Sequence, residues 1–209
     1  IDELVSSPVV GIIIANEFFD ALPVERILLN DGKLFRQGVK ACSKTNQILE
    51  YSKLPLSKNI ISILRELRNY LGIEIPPAYS SEGWTTELHV NVEPYLSKLS
   101  KSLKSGKILV IDYFIEESRY YNHNRNCGTL LAYKGQKASQ ELLNEPGSYD
   151  ITAHLCLETF IFYAGKSGLN FVGQLRQGEA LLALGLSERL SNVIDSSNPN
   201  IKASLQRRE

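Results

Sequence analysis

An α/β fold is the architecture this sequence predicts, and three observations predict it. Val9, Val10, Ile12, Ile13 and Ile14 form a short apolar run, rich in β-branched residues and free of charge, which reads as a strand covered on both faces. Apolar residues at Val92, Leu96, Leu99 and Leu103 keep helical spacing up to Gly106, and a second apolar run, Lys107 to Ile111, follows at once and ends at Asp112. Helix, glycine, apolar strand and acid make one α/β unit. Polarity also arrives abruptly behind both strands, as Asn16-Glu17 and as Asp112, at the carboxyl ends where open α/β sheets hold their ligands.

The elements follow in order. Glu17 to Leu22 is read as a helical turn, whose i, i+3 spacing sets Glu17 and Asp20 on one side, with Pro23 closing it. Asn30-Asp31-Gly32 can supply positive φ, so the segments 26–29 and 33–37 read as a β-hairpin. Residues 40–54 read as an edge strand or loop ended by Pro55. Ser57 is an N-cap for a helix carried by Ile60, Leu64, Leu67 and Leu71, and Gly72 stands in its C′ position. A loop with Pro76-Pro77 and Gly83-Trp84 comes next, and residues 87–91 lead into the second helix, which tolerates Pro94 in its first turn.

Between Phe114 and Gly147 periodicity fades over a stretch long enough to be functional or to hold small elements. Residues 150–155 alternate weakly as a strand, 158–166 read as a helix stopped before Gly168, 170–175 as a strand, and 179–184 as a helix ending at Gly185. From Ser187 the tail is polar, with Ser196-Ser197-Asn198-Pro199-Asn200 separating two short helices.

Composition bounds the function. The 209 residues suit one domain, and 43% apolar content is enough for a full core. Lys+Arg and Asp+Glu balance at 23 each, which argues against a dedicated nucleic-acid binder. Cys42, Cys127 and Cys156 are far apart and odd in number, so no disulfide framework and no metal site is expected, and a reducing compartment is the default. No apolar run is long enough for a membrane span. The chain has no Met and opens on IDELVSS, without the pattern of a signal peptide, so position 1 is not expected to be the translation start.

No P-loop, nucleophile elbow or GxGxxG motif is present. Taken singly, each candidate residue has an ordinary alternative. Glu17 and Asp20 could cap a helix, Asp112 could form a turn, His154 could be a hydrogen-bonded structural residue, and Tyr120-Tyr121 reads as surface or interface packing. Cys127 has only His123 nearby and is not expected to be a nucleophile.

The blocks acquire meaning as an ordered set. Asn16-Glu17-x-x-Asp20-Ala-Leu-Pro23, Asp112-Tyr113, Tyr120-Tyr121, Gly128-Thr129-Leu-Leu-Ala-Tyr133, Pro146-Gly147 with Asp150-Ile-Thr-Ala-His154, and Gln177-Gly with Leu184-Gly185 follow one another from about residue 9 to 186. Together they resemble the MidA family of S-adenosylmethionine-dependent methyltransferases, whose mitochondrial members are complex I assembly factors that dimethylate an arginine. The resemblance implies a Rossmann-like methyltransferase fold with an inserted subdomain at about residues 25–105, occupying 1–186, and a polar helical tail at 187–209. The family's glycine-rich cofactor turn, the acid after its second strand and its closing strand have no counterpart in these residues, so the fold is expected to be incomplete here. Phe114, Gln136, Cys156 and Ala180 stand where the family more often has Gly, His, an acid or Asn, and Phe.

The resemblance also implies roles. Glu17, Asp20 and His154 are the expected catalytic residues, Asn16 and Glu17 the cofactor-binding ones, and Glu17, Asp112, Tyr113 and Tyr133 those that meet the substrate. S-adenosylmethionine is the implied cofactor, an arginine-containing protein the implied substrate, and a homodimer the implied assembly. The bacterial cytoplasm is the expected location, with the mitochondrial matrix as the alternative. A non-catalytic binding or assembly module that keeps the fold is the rival reading.

Overall fold

The computed structural model describes residues 2–41 and 49–195, so Cys42 and the break at 196–200 lie outside the described residues. These fall into two compact units, divided between Phe171 and Val172. The first unit opens with a short helix, α1 (Asp2–Ser6), and the strand β1 (Val9–Asn16). β2 (Glu25–Asn30) and β3 (Lys33–Ala41) form the expected hairpin, Asn30 opposite Lys33, because Asp31 and Gly32 both take positive φ. β4 (Leu49–Leu54) pairs antiparallel with β3.

α2 (Lys58–Leu71) begins where the Ser57 hydroxyl accepts the Ile60 N–H at 3.3 Å, and ends at Gly72 in the left-handed region at φ 69°. β5 (Thr85–Leu88) then pairs antiparallel with β2 and completes a sheet in the order β4-β3-β2-β5. That strand replaces the helix lead-in expected there. Its four residues are all buried, including Glu87, and a charge in mid-strand masked the β pattern.

α3 (Val92–Lys101) is shorter than its apolar spacing implied, because Leu103 already belongs to β6 (Leu103–Ile111). β6 runs parallel to β1, from Val10 opposite Ser105 to Asn16 opposite Ile111. Gly106 is therefore not a helix terminator: it faces Gly11, and a Cβ on it would lie 1.8 Å from the Gly11 carbonyl oxygen. Everything from β2 to α3 is the crossover between these two parallel strands.

β1 departs from expectation in its burial. Gly11, Ile13 and Ala15 face inward, but Val10, Ile12 and Ile14 are 73, 68 and 65% exposed. Its one partner among the described strands is β6, so alternate side chains on the two-residue period point away from the core.

After β6 the chain makes β7 (Phe114–Ile115), α4 (Glu117–Tyr120), β8 (Leu131–Lys134), β9 (Lys137–Ser139), β10 (Asp150–Thr152), β11 (Leu155–Cys156) and α5 (Leu157–Lys166). β11 pairs parallel with β7, and β10-β8-β9 form a small antiparallel sheet. Tyr120 and Tyr121, read as surface or interface packing, are buried within the chain and meet edge to face at 4.8 Å. The core gathers Phe19, Ile27, Ile60, Leu67, Leu96 and Leu155. Residues 170–175 form no strand; they have no pairing partner among the described residues, and Phe171, Val172 and Leu175 are exposed.

The second unit holds α6 (Gln177–Ala183) and α7 (Leu186–Asp195), with Gly185 between them at φ 85°. No helix of the described residues is long and apolar enough to cross a membrane.

The close approach of β1 and β6 can be checked directly. Gly106→Ala should lower unfolding stability by roughly 2–4 kcal/mol, since backbone rather than a flexible side chain must move. Gly11→Ala, whose Cβ meets nothing within 4 Å, should stay within about 1 kcal/mol of the parent in the same denaturant titration.

Candidate active site

The segment behind β1 is not a helical turn. Glu17 takes φ 46°, which breaks any helix at its first residue, while its N–H still donates to the Ile111 carbonyl at 2.8 Å and prolongs the parallel ladder by one step. The chain then bends around one carboxylate. Asp112 Oδ2 accepts the N–H groups of Phe19 at 3.0 Å and Asp20 at 3.4 Å, and Oδ1 accepts that of Tyr113 at 2.9 Å. Glu17 and Asp20 therefore share a site because a third acid folds the backbone between them.

Two further contacts fix this turn. Phe19 is fully buried and packs edge to face on Phe160 at 4.9 Å, and the Asp20 carbonyl accepts the N–H of Ala153 at 2.9 Å. Residues 16–22, 112–115 and 153–156 consequently converge at the carboxyl ends of β1 and β6.

The side chains divide by environment. Glu17 is exposed and accepts the Tyr113 hydroxyl at 3.0 Å, a bond that raises the pKa of the phenol. Asp20 is only 4% exposed, and its Oδ1 has no hydrogen-bond partner. Burial first, then the negative charges of Asp112 and Glu17, push its pKa from 3.8 up to about 6. Burial also raises Asp112, against the opposing pull of the main-chain N–H groups it accepts. No Lys or Arg among the described residues forms an ion pair with Glu17, Asp20 or Asp112.

His154 stands beside them, its ring 5.9 Å from that of Tyr113. Burial, joined by the charge of Arg125, lowers its pKa below the usual 6.5, so the imidazole is neutral at pH 7. Asn16 is exposed at the end of β1, and Tyr133 stands on β8, 38% exposed. Glu17, Asp20, Asp112, Tyr113 and His154 are thus brought into one group, with both oxygens of Asp112 already engaged by the turn.

A second set of residues escaped the sequence reading. Glu87 is completely buried, accepts the Thr129 N–H at 2.8 Å and lies 3.5 Å from Arg26. His89 Nε2 lies 2.8 Å from the His154 carbonyl and 3.3 Å from the Tyr120 hydroxyl. These groups hold the 127–130 segment and the backbone of His154 from behind. The signal for them was the polar Thr85-Thr86-Glu87 run directly after Trp84, but no periodicity distinguishes it from a loop.

Such a cluster can take a positively charged planar group, because it offers carboxylate oxygens without a cation of their own. Its titration also affects stability. The folded pKa of Asp20 is raised, so the folded chain holds that proton more tightly than the unfolded one, and stability is lost as pH rises from about 4 to about 6. Asp20→Asn removes this loss: its thermal midpoint should exceed that of the parent by about 2–5 °C at pH 8, with the gain disappearing at pH 4.

Comparison with known proteins bears on the fold and the family. Two crystal structures from Burkholderia thailandensis superpose with a TM-score of 0.76. The first, a COG1565 superfamily member described as a "likely methyl transferase" bound to S-adenosyl-homocysteine, is 23% identical over 94% of this chain and 46% of its own. The second, an uncharacterized COG1565 superfamily protein, is 24% identical over 91% of this chain and 48% of its own. The chain thus has their α/β fold and spans about half their length. No curated protein matches it. Residues 1–175 match the model of the family described as "Putative S-adenosyl-L-methionine-dependent methyltransferase", and the chain belongs to that family.

Proposed function

We propose that the carboxylate cluster behind β1 serves methyl transfer from S-adenosylmethionine to the guanidinium of a protein arginine, in the manner of the MidA family that the motifs resemble. The observation that carries this reading is the buried Asp20 Oδ1, which has no partner while two further acids stand beside it. A buried acceptor atom left unsatisfied is costly unless a ligand completes it.

The cofactor fits the same residues. S-adenosylmethionine carries a sulfonium and an α-ammonium, both cationic, and the acids here are uncompensated. Asn16 and Glu17, exposed at the end of β1, would hold its methionine moiety. When bound, it supplies an electrophilic methyl group. The residues of the chain do the rest. A guanidinium has a pKa above 12 and is a poor nucleophile. Glu17 holds it in plane, with Tyr113 fixing the carboxylate through its hydroxyl. As the N–C bond forms and the C–S bond breaks, the nitrogen loses a proton. Asp20 Oδ1, basic for a carboxylate, receives it, and the neutral imidazole of His154 passes it on toward solvent. Asp112 positions the turn, and Tyr133 borders the acceptor.

In this proposal the crossover at about residues 25–105 is the inserted subdomain, residues 1–186 are the methyltransferase part and 187–209 the tail. The protein works as a homodimer in the bacterial cytoplasm, or in the mitochondrial matrix as a respiratory complex I assembly factor.

A second reading, a non-catalytic assembly module, draws on the exposed apolar row Val10, Ile12 and Ile14 on β1 with Leu109 on β6. Calorimetric titration with S-adenosylmethionine separates the two, since micromolar binding supports the enzyme and no binding supports the module. Methyl incorporation into arginine peptides tests the mechanism. Glu17→Gln should reduce it about 100-fold or more, and unchanged incorporation would remove Glu17 from the chemistry.

A further inference from the structure

Beside the acid cluster lies an open cleft of about 580 Å³ of opposite character, lined by Arg119, Asn122, Asn124, Arg125, Asn126 and Cys127. That volume is in the range of small-ligand sites. No carboxylate lines it, and neither arginine has an acidic partner among the described residues. Arg125 spends its Nε–H on the Arg119 carbonyl at 2.9 Å, which fixes the guanidinium, and its outer N–H groups have no hydrogen-bond partner among the described residues.

The wall of the cleft is preorganised in the same sense. Three of its main-chain carbonyls, which would repel an anion, are occupied by donors of the protein. Trp84 Nε1 donates to the Asn122 carbonyl at 3.0 Å, Thr85 N to that of Asn126 at 2.8 Å, and Arg26 to that of Cys127 at 2.8 Å. What remains on the open side is two cations, Arg125 held by its Nε bond and Arg119 exposed, with amide groups and a thiol. Guanidinium pairs of this kind recognise carboxylates and phosphates by paired N–H bonds.

We propose that this cleft is a binding site for an oxyanionic group, a carboxylate or a phosphate. Gly128 also lines the cleft, and the His154 ring is hydrogen-bonded to the main chain of Thr129 next to it, so the anion site adjoins the carboxylate cluster. Resting on the methyl-transfer reading, the juxtaposition assigns the acceptor a specificity: an arginine with an acidic group nearby on the same chain, its guanidinium facing Glu17 and Asp20 and its anion facing Arg119 and Arg125.

Cys127 is an intrinsic reporter, being an exposed free thiol in the cleft. Burial pushes the Cys156 thiol up to about 12, so it stays silent. The full chain is alkylated with neutral iodoacetamide, and Cys127 modification is followed by peptide mass spectrometry. Competitors are inorganic phosphate, an arginine peptide flanked by glutamates, its glutamine counterpart, and sodium chloride at equal ionic strength.

A competitor that occupies the cleft at twice its Kd should slow Cys127 alkylation about threefold. Protection by the glutamate peptide but not the glutamine peptide assigns the anion to the acceptor. Protection by phosphate alone assigns the site to a free phosphate. Either effect should vanish in Arg119→Gln with Arg125→Gln. Arg119→Gln alone, at an exposed side chain, should weaken it without disturbing the fold. Absence of protection, protection by chloride at equal ionic strength, or protection undiminished in both variants overturns the proposal. None of these readouts uses methyl transfer, so the two readings fail separately.

Discussion

The site depends on a single half-buried carboxylate. Asp112 accepts three main-chain N–H groups, from Phe19, Asp20 and Tyr113, and so welds the turn behind β1 to the end of β6. Hydrogen bonds from N–H groups to an ionised acceptor are the strong ones, and here three of them satisfy one group. This cap, with the Glu17 N–H bond to the Ile111 carbonyl, holds Glu17 in a left-handed conformation two residues before a buried phenylalanine. The parallel ladder of β1 and β6, possible because Gly11 and Gly106 pass backbone to backbone, brings Asp112 to within reach of the turn.

From that constraint the electrostatics follow. Three acids are forced together at a strand end, and the structure resolves the repulsion by environment. Asp112 is solvated by peptide N–H groups, Glu17 by water and a phenol, and Asp20 by neither at Oδ1. The cost appears as a raised pKa at Asp20, and a cationic ligand would relieve it. Behind this group, Glu87 and His89 pin Thr129 and His154, so that the neutral imidazole and the arginine-lined cleft are held at fixed positions relative to the turn.

Much of the frame was legible in the residues. Ser57 and Gly72 bound α2 because capping chemistry is local, and Asn30-Asp31-Gly32 made its hairpin for the same reason. The failures share a cause, which is that they turn on partners distant in sequence. Gly106 resembled a helix stop until β1 lay beside it, and Glu87 disguised a buried strand because its partner Thr129 lies 42 residues away. Glu17 and Asp20 were found together for the wrong geometric reason. Spacing suggested a helical turn, whereas the turn is made by Asp112, 92 residues further on.

Asp20 holds its buried Oδ1 without a hydrogen-bond partner among the described residues, ready for a cation. Carbon-13 NMR of the aspartate carboxyls reads this directly, as the titration midpoint of Asp20 with and without methylguanidinium. The structure places that midpoint near 6 in the free protein, and the added cation should move it down. A midpoint near 4 that methylguanidinium leaves unmoved would contradict the account.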